Sequence, residues 1–175
     1  IIHQRSEPIL DEDNASELMS RLSDLGAVAL REALEFLTHG NPEEREQVED
    51  AVSYAPKVDR QTARIDWTLP ASEVSLFIRG MDAVPGAWSE LADMPVKLFR
   101  PSPVPELESP QAGAQTSAEI LSPGTVVGAD LEQGLVISTS SGGVLVGEVQ
   151  PAGHHRMSTR DWINGRGVEL GQRFE

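Results

Sequence analysis

Beyond Gly86 the apolar residues change their spacing from three-and-four to two, and this switch limits the folds open to the chain more than any other feature. Before it, Leu18, Leu22, Leu25, Ala29, Leu34 and Leu37 recur at helical steps, which predicts a long amphipathic helix from Ala15 that ends near Gly40. Asn14-x-x-Glu17 has capping-box character at its start. After the switch, short strands are expected at Ala87–Leu91, Pro95–Arg100, Gly124–Gly128, Leu135–Thr139 and Val144–Gln150. Ala92-Asp93-Met94, Asp130–Gly134 and Ser140–Gly143 supply turns between them. Short strands with Gly-rich turns predict a small, closed or partly closed Greek-key barrel, so the chain reads as α+β.

The remaining segments fill in around these two halves. Ile1–Gln4 opens on apolar residues without a cap and reads as a strand already under way. Asn41–Asp50 is charged and begins Asn-Pro, as a surface loop or short exposed helix would. A helix over Pro70–Arg79 is expected, with Thr68 as its cap, Val74, Phe77, Ile78 and Met81 on one side, and Gly80 as its stop. Trp88, Val96, Leu98 and Phe99 are candidate core residues of the first strand pair. The prolines of Pro101–Ser117 predict a loop or linker over 101–117. Ser158 to Asp161 cap a short helix through Trp162 that Gly165 can end, and Gly167–Glu175 adds an edge strand.

Charge separates the halves as well. The net charge is −14, from 28 acidic and 14 basic residues, with much of the acid between Asp11 and Asp50 and only Lys57 and Lys97 as lysines. Nonspecific nucleic-acid binding depends on counterion release by Lys and Arg, so this balance excludes a broad basic face and leaves room only for a local patch in the later half. High acid with little lysine also fits adaptation to high salt. No cysteine is present, which removes disulfides, thiolate zinc sites and a Cys nucleophile. No apolar run reaches the roughly 18 residues of a membrane helix, and no leader pattern precedes a cleavage site, so a cytoplasmic protein without membrane attachment is expected.

Between Val52 and Leu91 the words YAPK, ARIDW, IRG and VPGAW occur in that order. This run resembles the junction of 10-formyltetrahydrofolate-dependent formyltransferases, the family that includes methionyl-tRNA formyltransferase and, more distantly, the hydrolase part of formyltetrahydrofolate dehydrogenase. VQPAG, RMS, DW and NG over Val149–Gly165 resemble the end of the tRNA-specific members. The resemblance implies three parts: residues 1–50 as the end of a catalytic α/β domain, a strand plus long helix; 51–85 as an inter-domain junction; and 86–175 as an OB-like barrel. IIHQRSEPI resembles the segment that follows the family's catalytic Asp, implying that the chain starts just past it. The family's catalytic Asn, His and Asp map onto no position here, so the implied catalytic and cofactor-binding sets of this chain are empty. Alone it is expected to be inactive, with 10-formyltetrahydrofolate held mainly by the N-terminal domain of the parent enzyme.

Candidate contacts to a formyl acceptor are Lys97, Arg100, His154, His155, Arg156, Arg160 and Arg166. Arg forks match phosphate oxygens, and the resemblance places lysines where His154 and His155 stand. Adjacent histidines in a strand point to opposite faces, so no metal is expected there. Ser140-Ser141-Gly142-Gly143 lacks the lysine and the strand-to-helix setting of a phosphate loop and reads as a hairpin turn. Asp66 has no partner base and reads as a capping or salt-bridging group, and Arg79 as a helix-closing one. Three functions stay open. The first is the C-terminal part of an enzyme formylating methionyl-tRNA, with initiator tRNA and the N-terminal catalytic domain as partners. The second is a 10-formyltetrahydrofolate hydrolase or small-amine formyltransferase. The third is a non-enzymatic OB-like binding module.

Overall fold

The computed structural model describes residues 1–40, 44–107, 122–131 and 134–175. The chain divides into two compact units, Ile1–Lys57 and Val58–Glu175. No described helix is long and apolar enough to cross a membrane.

The first unit is built on α1, Ala15–His39. Asn14 and Glu17 form the expected reciprocal capping box, each side chain accepting from the other's backbone N–H. Residues 1–10 are held by charge: His3 and Arg5 both reach Glu32, and Arg21 bridges Glu7 and Asp13. Among the described residues, Ile1–Gln4 forms no strand, contrary to expectation. Strands exist through ladders, and this segment has only the Arg45 backbone opposite Ile1, with the Arg45 N–H donating to the Ile1 carbonyl at 3.0 Å. Of the predicted 41–50 loop, residues 41–43 lie outside the described residues, and a 3-10 turn follows at Glu49–Ala51.

Among the described residues, the second unit is a six-stranded antiparallel sheet with helices packed on it. The strands are β1 (Trp88–Leu91), β2 (Met94–Val104), β3 (Val126–Asp130), β4 (Gly134–Ser138), β5 (Gly143–Pro151) and β6 (Met157–Ser158), in the order β1-β2-β5-β4-β3 with β6 on β5. The predicted loop beginning at Pro101 is corrected here: β2 runs through Pro101 and Pro103 to Val104, paired with Val146 to Gly143 of β5. Among the described residues only β5 flanks β2 past Leu98, and such an edge tolerates residues without an N–H. Pro105–Leu107 lie in no strand, as expected of the loop, and its remainder, 108 to 117, lies outside the described residues.

Closure is also different from that of a closed barrel. The edge strands β1 and β3 share no ladder among the described residues; instead Gln172–Glu175 hydrogen-bonds to both sides. Phe174 N–H donates to Gly124 O at 2.8 Å and Val126 N–H to Gln172 O at 2.8 Å, while Glu90 and Glu175 exchange backbone hydrogen bonds at 3.1 and 2.9 Å. The tail thus makes isolated bridges to Leu91 and Thr125 rather than the edge strand expected over 167–175.

Helix α2 spans Ala71–Gly80 with Pro70, not Thr68, as its cap. Thr68 is engaged just before it, where its N–H and hydroxyl both donate to Asp66 Oδ1. These bonds, the hydroxyl's first, hold the Asp66 carboxyl below its usual range. The Ser140–Gly143 turn serves α2 directly: Ser141 O accepts the Ala71 N–H, an orphan donor of the first helical turn. Ala71, Val74, Ser75 and Ile78 form the buried helical stripe, with Phe77 and Met81 partly covered beside it. Ile65 and Trp67, expected in a junction, lie in the same core as Leu98, Val146 and Val149 of the sheet. Helix α3, Thr159–Asn164, is capped by Ser158 as predicted and buries Trp162.

Candidate functional site

The Arg60–Trp88 corner of the second unit builds a groove. The Asp59 side chain accepts the Thr62 N–H at 2.8 Å, which tightens the turn at 59–62. That turn brings Arg60 O to the Trp88 indole N–H at 2.6 Å and the Arg60 guanidinium carbon to 4.8 Å from the indole centre. Arg64 approaches the same ring at 5.4 Å and also pairs with Glu90 at 3.8 Å. The negative face of the indole attracts both cations, so the two arginines are fixed by one aromatic.

The groove beside this corner has a volume of about 470 Å³ and is lined by Pro85, Pro151, Lys97 and Gln150 as well as Arg60 and Trp88. Lys97 stands opposite Trp88 in the β1–β2 ladder, and Gln150 opposite Lys97 in β2–β5, so the sheet register sets the spacing of these side chains. Among the described residues, none that lines the groove is acidic, in a chain with twice as many acids as bases. A smaller cleft of about 280 Å³ at the other end of β1 collects Glu90, Asp93 and Glu175 with Arg173, and its charge disfavours anions.

The predicted contact residues separate into two sets. His154 and His155 follow Gly153 in the turn between β5 and β6 and are both exposed. The expectation of a strand there is corrected: Gly153 at φ +78° turns the chain, and His154 N–H closes onto Pro151 O at 3.0 Å. His154 O accepts from the Gln150 side chain at 3.1 Å, linking the turn to the groove wall. Arg156 is exposed as well, with a side chain 32% accessible, but it is tied to neighbouring groups. Its Nε donates to Glu148, its Nη1 and Nη2 reach Asp82 at 3.1 and 3.4 Å, and its guanidinium lies over Phe99. Burial works against the Arg156 charge, but its hydrogen bonds to Glu148 and Asp82 outweigh that and raise its pKa. Arg100 pairs with the same Glu148 at 3.1 Å. Arg160 on α3 and Arg166 just past it are exposed. Sequence reasoning misses Arg60 and assigns Trp88 to the core alone; Trp88 is 9% exposed and serves both roles. Among the described residues no group of three or more His, Asp or Glu is placed to hold a metal ion.

The family description "Formyl transferase, C-terminal domain" matches residues 57–167, close to the whole second unit. The chain belongs to the formyl transferase family. Similar relatives of this formyl transferase chain include the methionyl-tRNA formyltransferase of Rhodococcus erythropolis, 36% identical over 160 residues, covering 91% of this chain and 47% of the relative. That of Saccharopolyspora erythraea is 36% identical over 171 residues, covering 97% and 51%. The chain spans about half the length of the curated relatives it matches. Among solved structures, a variant of HypX from Aquifex aeolicus superposes with a TM-score of 0.66 at 21% identity, covering 95% of this chain and 29% of that one. HypX in complex with tetrahydrofolic acid gives 0.56 at 21% identity over 81% and 23%. At these identities the structural match concerns the fold of the formyl transferase chain.

Proposed function

We propose that this chain is the acceptor-positioning part of a formyltransferase that moves a formyl group from 10-formyltetrahydrofolate to the amine of methionyl-tRNA in the cytoplasm, at the start of protein synthesis. The reading is supported by the tRNA formyltransferases it resembles and is carried by one observation: a groove with Arg60 and Lys97 and no acidic lining, in a chain of net charge −14. In this reading the sheet with its C-terminal strap is an OB-like, incompletely closed barrel. The groups that deprotonate the amine and hold the tetrahedral oxyanion belong to the N-terminal catalytic domain of the full-length protein, which also holds most of the folate. The acceptor contacts reduce to Lys97, His154, His155, Arg160 and Arg166, with Arg60 added, because Arg100 and Arg156 are occupied by Glu148 and Asp82.

The test is formyl transfer by the full-length protein with methionyl-tRNA, free methionine or water as acceptor. Transfer to methionyl-tRNA far above the other two is expected, with none from the 175-residue chain alone. Equal formate release with and without tRNA would instead establish the hydrolase alternative.

A further inference from the structure

The groove at Arg60 and Trp88 has a wall chemistry that a duplex backbone does not use. Duplex RNA is gripped by polar and cationic groups spread over a wide surface, whereas single strands are held by planar or aromatic platforms beside a few cations. Here the carbon of the exposed Arg60 guanidinium stands 4.8 Å from the centre of the Trp88 indole, which places a planar cation beside an aromatic ring at the groove wall. Pro85 and Pro151 add apolar ring walls, Lys97 adds a point charge, and the Gln150 side chain adds hydrogen-bonding capacity. Val84 at the rim is 92% exposed. Glycine at 86 keeps the Lys97 stem in place, since a Cβ built there would stand 2.9 Å from Lys97 Cδ.

We infer that this groove is a subsite for one unpaired nucleotide, the base stacking on the Arg60–Trp88 pair and the phosphate meeting Lys97. The inference rests on the acceptor-positioning reading and specifies which feature of a nucleic acid the second unit grips. Charge complementarity selects an anion, and the apolar walls select an unstacked base over a sugar–phosphate rim. A proline-rich acidic peptide is the competing occupant of such a groove, but an RNA offers both a ring and a phosphate at adjacent positions.

The experiment uses the 175-residue chain and follows anisotropy of three labelled probes: a short oligoadenylate, a blunt RNA duplex of equal length, and methionyl-tRNA. The oligoadenylate is expected to bind about tenfold more tightly than the duplex, with quenching of tryptophan fluorescence. Arg60→Ala and Lys97→Ala each lower its affinity about tenfold. Arg60→Lys, which keeps the charge but loses the plane, fails to restore it. Arg31→Ala, on the exposed face of α1, changes nothing and controls for net charge. Duplex binding as tight as single-strand binding, full rescue by Arg60→Lys, or displacement of the RNA by an acidic proline-rich peptide at equal concentration would each overturn the inference. If methionyl-tRNA binds while the oligoadenylate does not, the subsite fails and the acceptor reading stands. If neither binds, both fail.

Discussion

The Arg156 guanidinium carbon sits 3.9 Å from the centre of the Phe99 ring, while the same side chain reaches buried Asp82 with two nitrogens. An arginine 74 positions away in sequence therefore holds the turn after α2 against the sheet. Replacing it by alanine takes the cation from a carboxylate that is 5% exposed and uncovers an aromatic face. Arg156→Ala is expected to cost about 2 kcal/mol, below the range for a fully buried pair because Arg156 is partly solvated. Urea unfolding measures it. The folded variant should bind RNA within about twofold of the parent, a fold-change set well below one phosphate contact. A large loss of affinity without loss of stability would return Arg156 to the set of acceptor contacts.

Gly124 carries the carbonyl that receives the Phe174 N–H. Its φ is +89°, and a Cβ there would overlap the Phe174 carbonyl oxygen. Gly124→Ala should destabilise the second unit by about 3 kcal/mol, combining left-handed strain with loss of the strap's hydrogen bonds. Hydrogen exchange provides the local readout, with the Phe174 and Glu175 amides losing protection before those of β5.

Gly86 ties stability to the groove. At φ +81° an alanine is strained by about 1–2 kcal/mol, and its Cβ pushes on the Lys97 stem. Gly86→Ala should therefore lose both stability and severalfold RNA affinity. Unchanged binding by a folded Gly86→Ala protein would show that the position of Lys97 is unimportant.

In the first unit, hydrogen bonds from Arg5 and then His3 hold the Glu32 carboxyl at about 2, against an ordinary value of 4.5. The folded state thus binds fewer protons than the unfolded state between these values. The stabilisation is complete above about pH 4.5, and it is lost as the pH falls toward 2. Glu32→Gln should flatten the stability of this unit across that window. Carbon-13 titration of the Glu32 carboxyl checks the cause directly, and a midpoint near 4.5 would refute it.

What the sequence made legible was local. The Asn14–Glu17 box, the Ser158 cap and the Ser140–Gly143 turn depend on residues within a few positions of one another, and their chemistry is visible in the order of letters. The alternation that marks β4 and β5 is of the same kind. The extension of β2 through two prolines depends on β5, which arrives much later in the chain, and the prolines alone argued for a loop. The Arg60 groove was hidden for a similar reason, because a lone arginine in a turn carries no signal until Trp88 is stacked beneath it. Arg156 is the opposite case: its motif neighbours suggest a phosphate contact, while its ties to Asp82 and Phe99 join positions far apart in the chain.

The strap at Gln172–Glu175 has a consequence for synthesis. Chains emerge from the ribosome with their N-terminal parts first, so β1 and β3 are both made before Gln172–Glu175. During that interval Ala63–Ile65 already pairs with Trp88 at one end of β1, but the backbone of Glu90 and of Val126 still lacks its strap partners and can recruit a strand from another molecule. Gln172–Glu175 act as a seal applied after both strands, and the speed at which they arrive sets how long the young protein is exposed to mispairing.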